Sequence, residues 1–498
     1  MEIKGYLGID AGTQGLSVVF VDESMNVVQS GDGHYDMIPG LEEGCYEQHP
    51  EDWVSALVTA MSDLRNKLGE TKIDVLAIGI SGQMHGEVLI DGSGTNLGSA
   101  RLWCDARNES EGIELTRLLG VKMPKRITAA RWLWTLRNGT EKAQNAKRIT
   151  TPAGWLAYQL TGEFNLGIGD ASGMFPIDQS TLNYDESRLQ KFEELADSDC
   201  AKLSALLPTV RRAGEDGGSL TDSGAVLLGL PPGIPVAPAE GDQPAALAGS
   251  YIAEAGMVSV SYGTSVCANA VGDRPFDGVS DAIDHFCAVD GKPINMVFLR
   301  NGTTFMNTVV EMFVNNENSF GDLMNQVLDV SPDCGGILAL PFMDDEPGLG
   351  ISKGGQSALW NLNGSNSVAA NAIRSALMAT MMNLRIGLEV LDEQGFPRTE
   401  MVLTGGLTKT PGTGQVLADA TNTKVSLPTG SDEGTAVGAA LMAMYRYEQI
   451  LNSNGSWSEF ISKYSAKSTT SFEPGDAVQA CDDYFKRYRS LLQNLYAR

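Results

Sequence analysis

Short apolar runs and spaced apolar positions follow one another along the chain and predict strands and helices in turn. Residues 4–21 read as a strand, a turn of Gly and Thr and a second strand, while residues 75–81 form the continuous apolar run of a strand buried on both faces. Between them, residues 50–68 place apolar side chains at helical spacing after a Pro and two acids. The first half is therefore predicted to be α/β.

The same pattern returns past the midpoint of the chain. Residues 258–270 predict a second hairpin with Gly, Thr and Ser at its turn. A long helical pattern over 367–391 and a strand at 401–404 follow, in the order seen in the first half. This weak duplication predicts two α/β lobes around a central cleft, with domains at 1–250 and 251–498.

Three further elements are predicted outside the duplicated pattern. Residues 152–160 carry Trp and Leu at helical spacing and indicate a core helix. A short strand is expected at 234–236, after a Pro-Pro-Gly turn. Residues 474–498 predict a terminal helix that packs aromatic and leucine side chains onto a lobe.

Composition and charge narrow the classes of protein that are compatible with this pattern. The 498 residues include 36 basic and 62 acidic side chains, and the net charge of −26 disfavours binding to nucleic acid or to an anionic membrane. The seven cysteines lack CxxC spacing, which favours reduced thiols. Neither a membrane span nor a signal-peptide pattern is found. A cytoplasmic protein is expected, and a homodimer is one assembly that the sequence leaves open.

The turns of the two predicted hairpins have the composition of a phosphate site. Glycine lets a backbone approach phosphate oxygens, and adjacent amides and hydroxyls can donate hydrogen bonds to them. The turns at 12–15 and 263–265 both fit, and Gly405 with Gly406 would admit a ribose or α-phosphate, or simply form a turn. Because two such turns occur, one in each half, phosphoryl transfer from ATP is the leading hypothesis. The absence of Walker A, GxGxxG and HExxH motifs disfavours the P-loop, Rossmann and zincin classes.

Two aspartates are candidates for the reaction itself. Asp10 stands two residues before Gly12, where a carboxylate could hold Mg²⁺ together with ATP oxygens, although it could also close an Asx turn. Asp242 follows a predicted strand and precedes a helix. There it could accept a proton from a sugar hydroxyl that attacks the γ-phosphate, or it could be a helix N-cap.

Residues that follow the strand at 75–81 suggest a sugar pocket. His85 lies between glycines and could donate a hydrogen bond to a polyol hydroxyl, or it could be structural. Trp103, Asp105 and Arg107 combine an aromatic ring, an acid and a base, as carbohydrate sites do. The alternative for this second group is a surface ion pair beside a core tryptophan.

Together these segments resemble the FGGY family of carbohydrate kinases, and most closely its xylulokinases. The matching segments run in family order from residue 5 to residue 445, at 8–15, 81–86, 102–105, 241–243, 262–265 and 405–406. The resemblance implies an actin/hexokinase-like (ribonuclease H-like) ATPase fold with two lobes that close over MgATP and a sugar.

The resemblance also assigns a role to each candidate by its motif position. Asp242 would be the catalytic base, and Asp10 would be the acid on the magnesium side. The sugar pocket would be lined by Met84, His85, Trp103 and Asp105. The nucleotide would be held by Thr13, Gln14, Gly263, Thr264, Gly405 and Gly406.

The chain departs from the family pattern at several positions. Arg131 stands where the first family signature has Lys, and Asn361 stands where the second has Gly. A Gly-Glu-Arg stretch is replaced around residues 344–347, and Leu407 replaces a third glycine. These departures bear on the nucleotide contacts and the sugar more than on the fold.

The function that this resemblance implies is ATP-dependent phosphorylation of a ketose, D-xylulose to D-xylulose 5-phosphate. Kinases of sedoheptulose, ribulose or glycerol are alternatives. Residues 83–86 also resemble sedoheptulose kinases, and residues 241–243 resemble glycerol kinases. From another class, ATPases of the actin and heat-shock chaperone kind share the fold without a sugar pocket. A non-catalytic, kinase-like ATP-binding protein is a third alternative.

Overall fold

The described part of the chain divides into two units, each built on its own β-sheet. The computed structural model describes residues 2–428, 434–451, 455–464 and 469–496. The first unit comprises Met1–Ala253, His285–Pro293 and Glu433–Ser465, and the second comprises Glu254–Asp284, Ile294–Asp432 and Ala466–Arg498. The α/β class is therefore confirmed. The predicted division into domains at residue 250 stays a prediction, since these units are spatial groupings.

The chain up to residue 253 contains thirteen described strands and ten helices. The strands are Glu2–Ala11, Gly15–Asp22, Val27–His34, Glu47–Gln48, Lys72–Gly82, Val88–Ile90, Ala100–Arg101, Arg148–Thr150, Asn165–Gly167, Ile177–Asp178, Asn183–Tyr184, Thr209–Arg211 and Glu240–Gly241. The helices are Pro50–Leu68, Glu109–Leu119, Thr128–Asn138, Thr140–Asn145, Pro152–Thr161, Ile168–Met174, Glu186–Ala196, Leu203–Leu206, Asp222–Leu228 and Asp242–Gly249.

The remaining described elements lie beyond residue 253. The strands are Met257–Tyr262, Val266–Val271, Ile283–Cys287, Pro293–Leu299, Leu338–Leu340, Ala358–Trp360, Glu400–Gly405, Lys424–Pro428 and Thr469–Phe472. The α-helices are Thr304–Glu311, Phe320–Gln326, Ala369–Glu393, Thr413–Thr421, Gly434–Ile450, Trp457–Ser462 and Val478–Tyr496. Short 3-10 helices lie at Val327–Asp329, Cys334–Gly336, Pro347–Leu349 and Gly406–Lys409.

A five-stranded sheet forms the centre of the first unit. Its strand order is Glu240–Gly241, Lys72–Gly82, Glu2–Ala11, Gly15–Asp22 and Val27–His34. The first three strands are parallel, and the last two continue the sheet in antiparallel pairings. The hairpin predicted over residues 4–21 is confirmed, and the parallel strands bring their carboxyl ends to one edge of the sheet.

Glycines in this sheet allow the helix Gly434–Ile450 to lie directly on its backbone. A Cβ on Gly8 would stand 1.9 Å from the carbonyl oxygen of Ala436, and a Cβ on Gly79 would stand 1.8 Å from that of Ala439. Atoms cannot approach so closely, so both positions require glycine. The small residues of the helix complete a buried cluster of the first unit.

The second unit repeats the arrangement of hairpin and parallel strand. Its sheet has the order Ile283–Cys287, Pro293–Leu299, Val266–Val271, Met257–Tyr262, Glu400–Gly405, Lys424–Pro428 and Thr469–Phe472. The hairpin strand Met257–Tyr262 pairs antiparallel with its partner and parallel with Glu400–Gly405. The predicted duplication is thus visible in the strand pairings of each unit.

Most predicted elements are confirmed, and one strand prediction is wrong. The helix predicted at 50–68 is observed as Pro50–Leu68, and the terminal helix begins at Val478. Residues 234–236 form only isolated bridges, because Pro235 has no N–H to donate to a ladder. Among the residues that the structure describes, no helix is both long and apolar enough to cross a membrane.

Candidate active site

Acidic residues from two strands on either side of Lys72–Gly82, and from the helix that follows one of them, meet at the carboxyl edge of the first unit's sheet. In the parallel register Asp10 pairs with Ser81, and Ser81 pairs with Glu240. Asp242 follows two residues later and is the first residue of the helix Asp242–Gly249. The N-cap of that helix is Gly241, so the N-cap interpretation of Asp242 is wrong. The edge brings both predicted catalytic aspartates into one place.

Asp10 lies inside its strand and not in the turn that follows. It pairs with Ser17 across the hairpin, and the Ser81 hydroxyl donates a hydrogen bond of 2.8 Å to its Oδ1. This position holds a carboxylate in the strand that leads directly into the turn at residues 12–15. Mg²⁺ accepts one or two carboxylates together with substrate phosphates and water, so these oxygen donors fit the ion.

Asp242 has the electrostatic surroundings of a general base. Burial raises the pKa of its carboxyl group to about 7, and the negative charge of Asp10 adds to that effect. A base is most effective when its pKa lies near the working pH, because it is then deprotonated and still basic. The side chain is half-buried, so it remains reachable from solvent.

Three side chains hold the turn at residues 12–15 through contacts with its backbone and with one hydroxyl. The Tyr35 hydroxyl lies 2.6 Å from the Gly12 carbonyl oxygen and 3.0 Å from that of Gly15, and donates its proton to this pair. Gln48 Nε2 donates to the Thr13 carbonyl at 2.7 Å. Trp103 Nε1 donates to the Thr13 hydroxyl at 3.1 Å. The turn therefore has a fixed conformation before any ligand binds.

Met84 and His85 pack against backbone next to the catalytic edge. A Cβ on Gly241 would stand 2.3 Å from Met84 Cγ, so the thioether side chain lies on the backbone just before Asp242. His85 is buried with a positive φ of 66°. Its Nδ1 lies 2.9 Å from the Gly173 carbonyl oxygen.

The surroundings of His85 determine which hydrogen bond it can offer a ligand. Burial lowers its pKa well below the usual value, and the charges of Arg126 and Arg131 lower it further, so the ring is neutral. Because Nδ1 must carry the proton to bond the Gly173 carbonyl, Nε2 is an acceptor. The predicted donation from His85 to a sugar hydroxyl is therefore wrong in its direction, and contact of His85 with sugar stays a prediction.

The alternative interpretation required a buried Trp103 and an acid exposed at the surface, and the structure shows the reverse. Trp103 is 38% exposed, whereas Asp105 is fully buried. Asp105 accepts hydrogen bonds from Arg107, the shortest 2.6 Å, and from the Tyr46 amide at 2.9 Å. Burial raises the pKa of Asp105, but these bonds and the Arg107 charge outweigh it and leave the pKa lowered. The interpretation as a surface ion pair beside a core tryptophan is wrong, and direct contact of Asp105 with sugar stays a prediction.

Arg131, a departure from the family signature, joins the loops that carry the candidate sugar residues. Its guanidinium is fully buried and donates to the carbonyl oxygens of Leu102, His85 and Arg126. The bond to the His85 carbonyl is 3.2 Å long. One planar, multidentate donor therefore fixes the backbone next to Met84 and Trp103, two of the predicted sugar residues.

Sequence reasoning missed two buried carboxyl groups beside Asp242. The Glu240 carboxylate accepts from the amides of Gly169 and Asp170, at 3.1 and 2.8 Å. Asp170 Oδ2 accepts from the Thr151 hydroxyl at 2.5 Å, and its Oδ1 is buried without a partner among the described residues. Burial raises the pKa of both groups to about 8, helped at Glu240 by the charge of Asp170 and at Asp170 by that of Asp242. The position of Glu240 beside Gly241 and Asp242 is a signal by which it could have been found, whereas no local motif points to Asp170.

The nucleotide candidates of the second unit gather at the end of its own hairpin. Gly263 lies in the hairpin turn, and the Gly302 amide donates to the Thr264 carbonyl at 2.8 Å. Gly405 pairs with Tyr262 across the parallel strands and has a positive φ of 84°, with room for no Cβ. Gly406 begins the next short helix. These four residues are neighbours in the second unit, and their contact with nucleotide stays a prediction.

Comparison with known families identifies the protein's class. Residues 5–249 match the N-terminal domain, and residues 258–447 the C-terminal domain, of the FGGY family of carbohydrate kinases. The chain belongs to this family. The predicted enzyme class, a phosphotransferase that uses ATP and a sugar hydroxyl, is thereby confirmed, and the actin-like and chaperone-like alternatives are not supported.

Relatives of this FGGY kinase include several xylulose kinases. The chain is 28% identical to the xylulose kinase of Haemophilus influenzae over 458 residues, which cover 88% of this chain and 90% of the relative. It is 26% identical to the xylulose kinase of Escherichia coli over 449 residues, which cover 88% and 89%. The similarity therefore spans both family domains.

Solved structures confirm the predicted fold. Gluconate kinase from Lactobacillus acidophilus superposes with a TM-score of 0.85 at 18% identity, covering 99% of each chain. Xylulose kinase from the same organism gives 0.84 at 18% identity, covering 100% of this chain and 99% of that one. Plasmodium falciparum glycerol kinase with ADP gives 0.83 at 20% identity, covering 99% and 98%. These likenesses concern the fold, and kinases of different sugars share it.

Proposed function

We propose that this FGGY kinase transfers the γ-phosphoryl group of ATP to the terminal hydroxyl of a ketose, with D-xylulose as the substrate. Two curated relatives that match nearly the whole chain are xylulose kinases, which supports this sugar. The observation that carries the proposal is the position of Asp242 beside Asp10, at the sheet edge and with a pKa near neutrality.

Asp242 acts as the general base. Its carboxylate accepts the proton of the sugar hydroxyl as that oxygen attacks the γ-phosphorus, and the bond to the β,γ-bridging oxygen breaks to release ADP. Burial of Asp242, the largest cause of its raised pKa, keeps the carboxyl basic enough for this role. The transferred proton ends on Asp242 and is returned to solvent after product release.

Asp10 and the turn at residues 12–15 hold the phosphates. Mg²⁺ bound at Asp10 would neutralise charge on the β- and γ-phosphates. Thr13 and Gln14 contribute the hydroxyl and backbone donors of a turn that Tyr35 and Gln48 already fix. Because these donors are held in place, little reorganisation is needed when charge develops in the transition state.

Met84, His85 and Trp103 form the sugar side of the site. The neutral His85 ring accepts a hydrogen bond from a hydroxyl at Nε2, and the exposed face of Trp103 offers an aromatic surface to the sugar. Asp105 anchors the Trp103 loop by accepting a hydrogen bond from the Tyr46 amide, and Arg107 adds one to Glu47. The location in the cytoplasm and the homodimer stay predictions.

A panel of acceptors tests the substrate. Sugar-dependent ADP release is measured with D-xylulose, D-ribulose, sedoheptulose, glycerol and gluconate at matched concentrations. The highest kcat/KM is expected for D-xylulose. A higher value for another acceptor would replace D-xylulose as the substrate while leaving the kinase assignment intact.

A further inference from the structure

A single hydrogen bond joins a candidate sugar residue to a candidate phosphate residue. Trp103 Nε1 donates to Thr13 Oγ1 at 3.1 Å. The two residues lie 90 positions apart in the sequence and were assigned to different substrates. Trp103 also exposes 38% of its surface, so a ligand can reach the indole ring while its N–H stays engaged.

Both partners of this hydrogen bond belong to anchored backbone. The Thr13 carbonyl accepts from Gln48 Nε2 at 2.7 Å. On the other side, the loop of Trp103 is held to residues 46 and 47, because the buried Asp105 accepts from the Tyr46 amide at 2.9 Å and Arg107 Nη2 donates to Glu47 Oε1 at 2.6 Å. The bond therefore connects two loops of the first unit whose backbones are each held by other hydrogen bonds.

The direction of the hydrogen bond follows from the chemistry of its two groups. An indole N–H can only donate, whereas a hydroxyl has one proton to donate and two lone pairs that accept. When Thr13 accepts from Trp103, the proton of its own hydroxyl is left to donate elsewhere. Phosphate oxygens are acceptors, so the remaining proton has the right polarity for a phosphate.

We propose that Trp103 is a positioning residue that orients the Thr13 hydroxyl as a donor to a phosphate oxygen of ATP and thereby couples sugar binding to nucleotide binding. The proposal rests on the proposed function for the identity of the two ligands. A sugar on the exposed face of Trp103 displaces water that competes for the indole N–H, and the hydrogen bond becomes stronger in the drier site. Sugar should therefore tighten nucleotide binding.

A double-mutant cycle separates this role from simple sugar contact. Trp103→Phe keeps an aromatic ring and removes the N–H, Thr13→Val keeps the shape and removes the hydroxyl, and the double variant removes both. Calorimetry with a non-hydrolysable MgATP analogue, with and without D-xylulose, measures binding. Initial rates measure kcat/KM for ATP. Trp360→Phe, at a 45% exposed tryptophan of the second unit, is the control.

The proposal predicts that Trp103→Phe weakens analogue binding about three- to tenfold, as expected for loss of one hydrogen bond, and abolishes its strengthening by sugar. In the Thr13→Val background the same change has less than a twofold effect, while Thr13→Ser retains the coupling. Equal analogue affinity in wild type and Trp103→Phe, or equal effects of Trp103→Phe in both backgrounds, would overturn it.

The experiment also distinguishes failure of this inference from failure of the proposed function. If no sugar of the panel supports ADP release by the wild type, the proposed function is wrong. The analogue titrations without sugar still decide whether the Trp103 N–H acts on nucleotide through Thr13, because they require no turnover.

Discussion

At the scale of single residues, the site depends on how burial and neighbouring charge set the protonation of a few side chains. Burial and the charge of Asp10 raise the pKa of Asp242 to about 7. Burial and the charges of two arginines lower the pKa of His85, so its ring is uncharged. The first can therefore take up a proton, and the second can accept a hydrogen bond without carrying charge. The same two effects act with opposite signs on an acid and a base.

The pKa of Asp242 predicts the pH dependence of the reaction. The base works only when it is deprotonated, so kcat/KM for the sugar should fall about tenfold per pH unit below about pH 7 and level off above it. Initial rates across about pH 5 to about pH 9, with coupling enzymes in excess, provide the test. A profile that stays flat between about pH 5.5 and about pH 8 would contradict the assignment.

Asp170 predicts a pH dependence of stability. Burial raises its pKa to about 8, above its unfolded value of about 4, so its contribution to the free energy of unfolding is lost as pH rises between these values. Relative to Asp170→Asn, the wild type should lose up to about 1.4 kcal/mol per pH unit in this range. Urea unfolding at about pH 5 and about pH 8 measures the difference.

The control for this prediction is a surface carboxylate with the opposite shift. The hydrogen bond from Lys67 lowers the pKa of the exposed Asp63, so that group stays ionised in folded and unfolded chains between about pH 5 and about pH 8. The difference between wild type and Asp63→Asn should stay constant with pH. The interpretation of Asp170 fails if its own difference is equally constant.

The positions of the two candidate catalytic aspartates could be predicted from local sequence, whereas their surroundings depend on packing. Asp10 and Asp242 each stand at a strand end within a short motif, so their placement follows from the order of elements. Tyr35 and Asp170 lie in no such motif and reach the site only because the fold brings distant segments together. The acceptor role of His85 depends on the Gly173 carbonyl, which the sequence pattern does not locate.

At the scale of elements, one helix holds the backbone next to the predicted sugar residues. Arg131 on the helix Thr128–Asn138 donates to the carbonyls of His85 and Leu102, so it holds two loops in register. The predicted sugar residues Met84 and Trp103 are immediate chain neighbours of these carbonyls. A change at Arg131 should therefore act on sugar binding through backbone position.

Arg131→Met is expected to raise KM for the sugar about tenfold, while KM for ATP changes less than about threefold. Arg131→Lys should raise KM for the sugar less than Arg131→Met does, because an ammonium can still donate to carbonyls. Arg137→Met is the matched control, since Arg137 lies on the same helix and pairs only with Glu111 and Glu114 among the residues described. Equal changes in both KM values would show a merely structural role.

The contact between sheet and helix predicts a large effect of one methyl group. Gly79→Ala would place a Cβ 1.8 Å from the Ala439 carbonyl oxygen, so the helix or the strand must move. We expect a loss of about 2 to 4 kcal/mol in the free energy of unfolding, measured by urea denaturation. Gly364→Ala, which meets no atom within 4 Å, is the control and should change it by less than about 0.5 kcal/mol.

At the scale of the whole molecule, the duplicated pattern of the sequence predicted the architecture well. Hairpin, helix and parallel strand recur in both units because their apolar runs, glycine turns and helical spacing recur. The prediction failed at residues 234–236, where Pro235 limits pairing to isolated bridges. The sequence pattern also could not show that residues 285–293 and helix Gly434–Ile450 belong to the first unit, because that depends on contacts between distant segments.

The most direct test of the account is the turnover of Asp242→Asn, which keeps the shape of the side chain and removes its basicity. Sugar-dependent ADP release is measured at about pH 8, with Asp63→Asn as the matched control and with thermal unfolding to verify that both variants fold. The account predicts a fall in kcat of at least about a hundredfold for Asp242→Asn and none for the control. Turnover of a folded Asp242→Asn enzyme near the wild-type rate would contradict it.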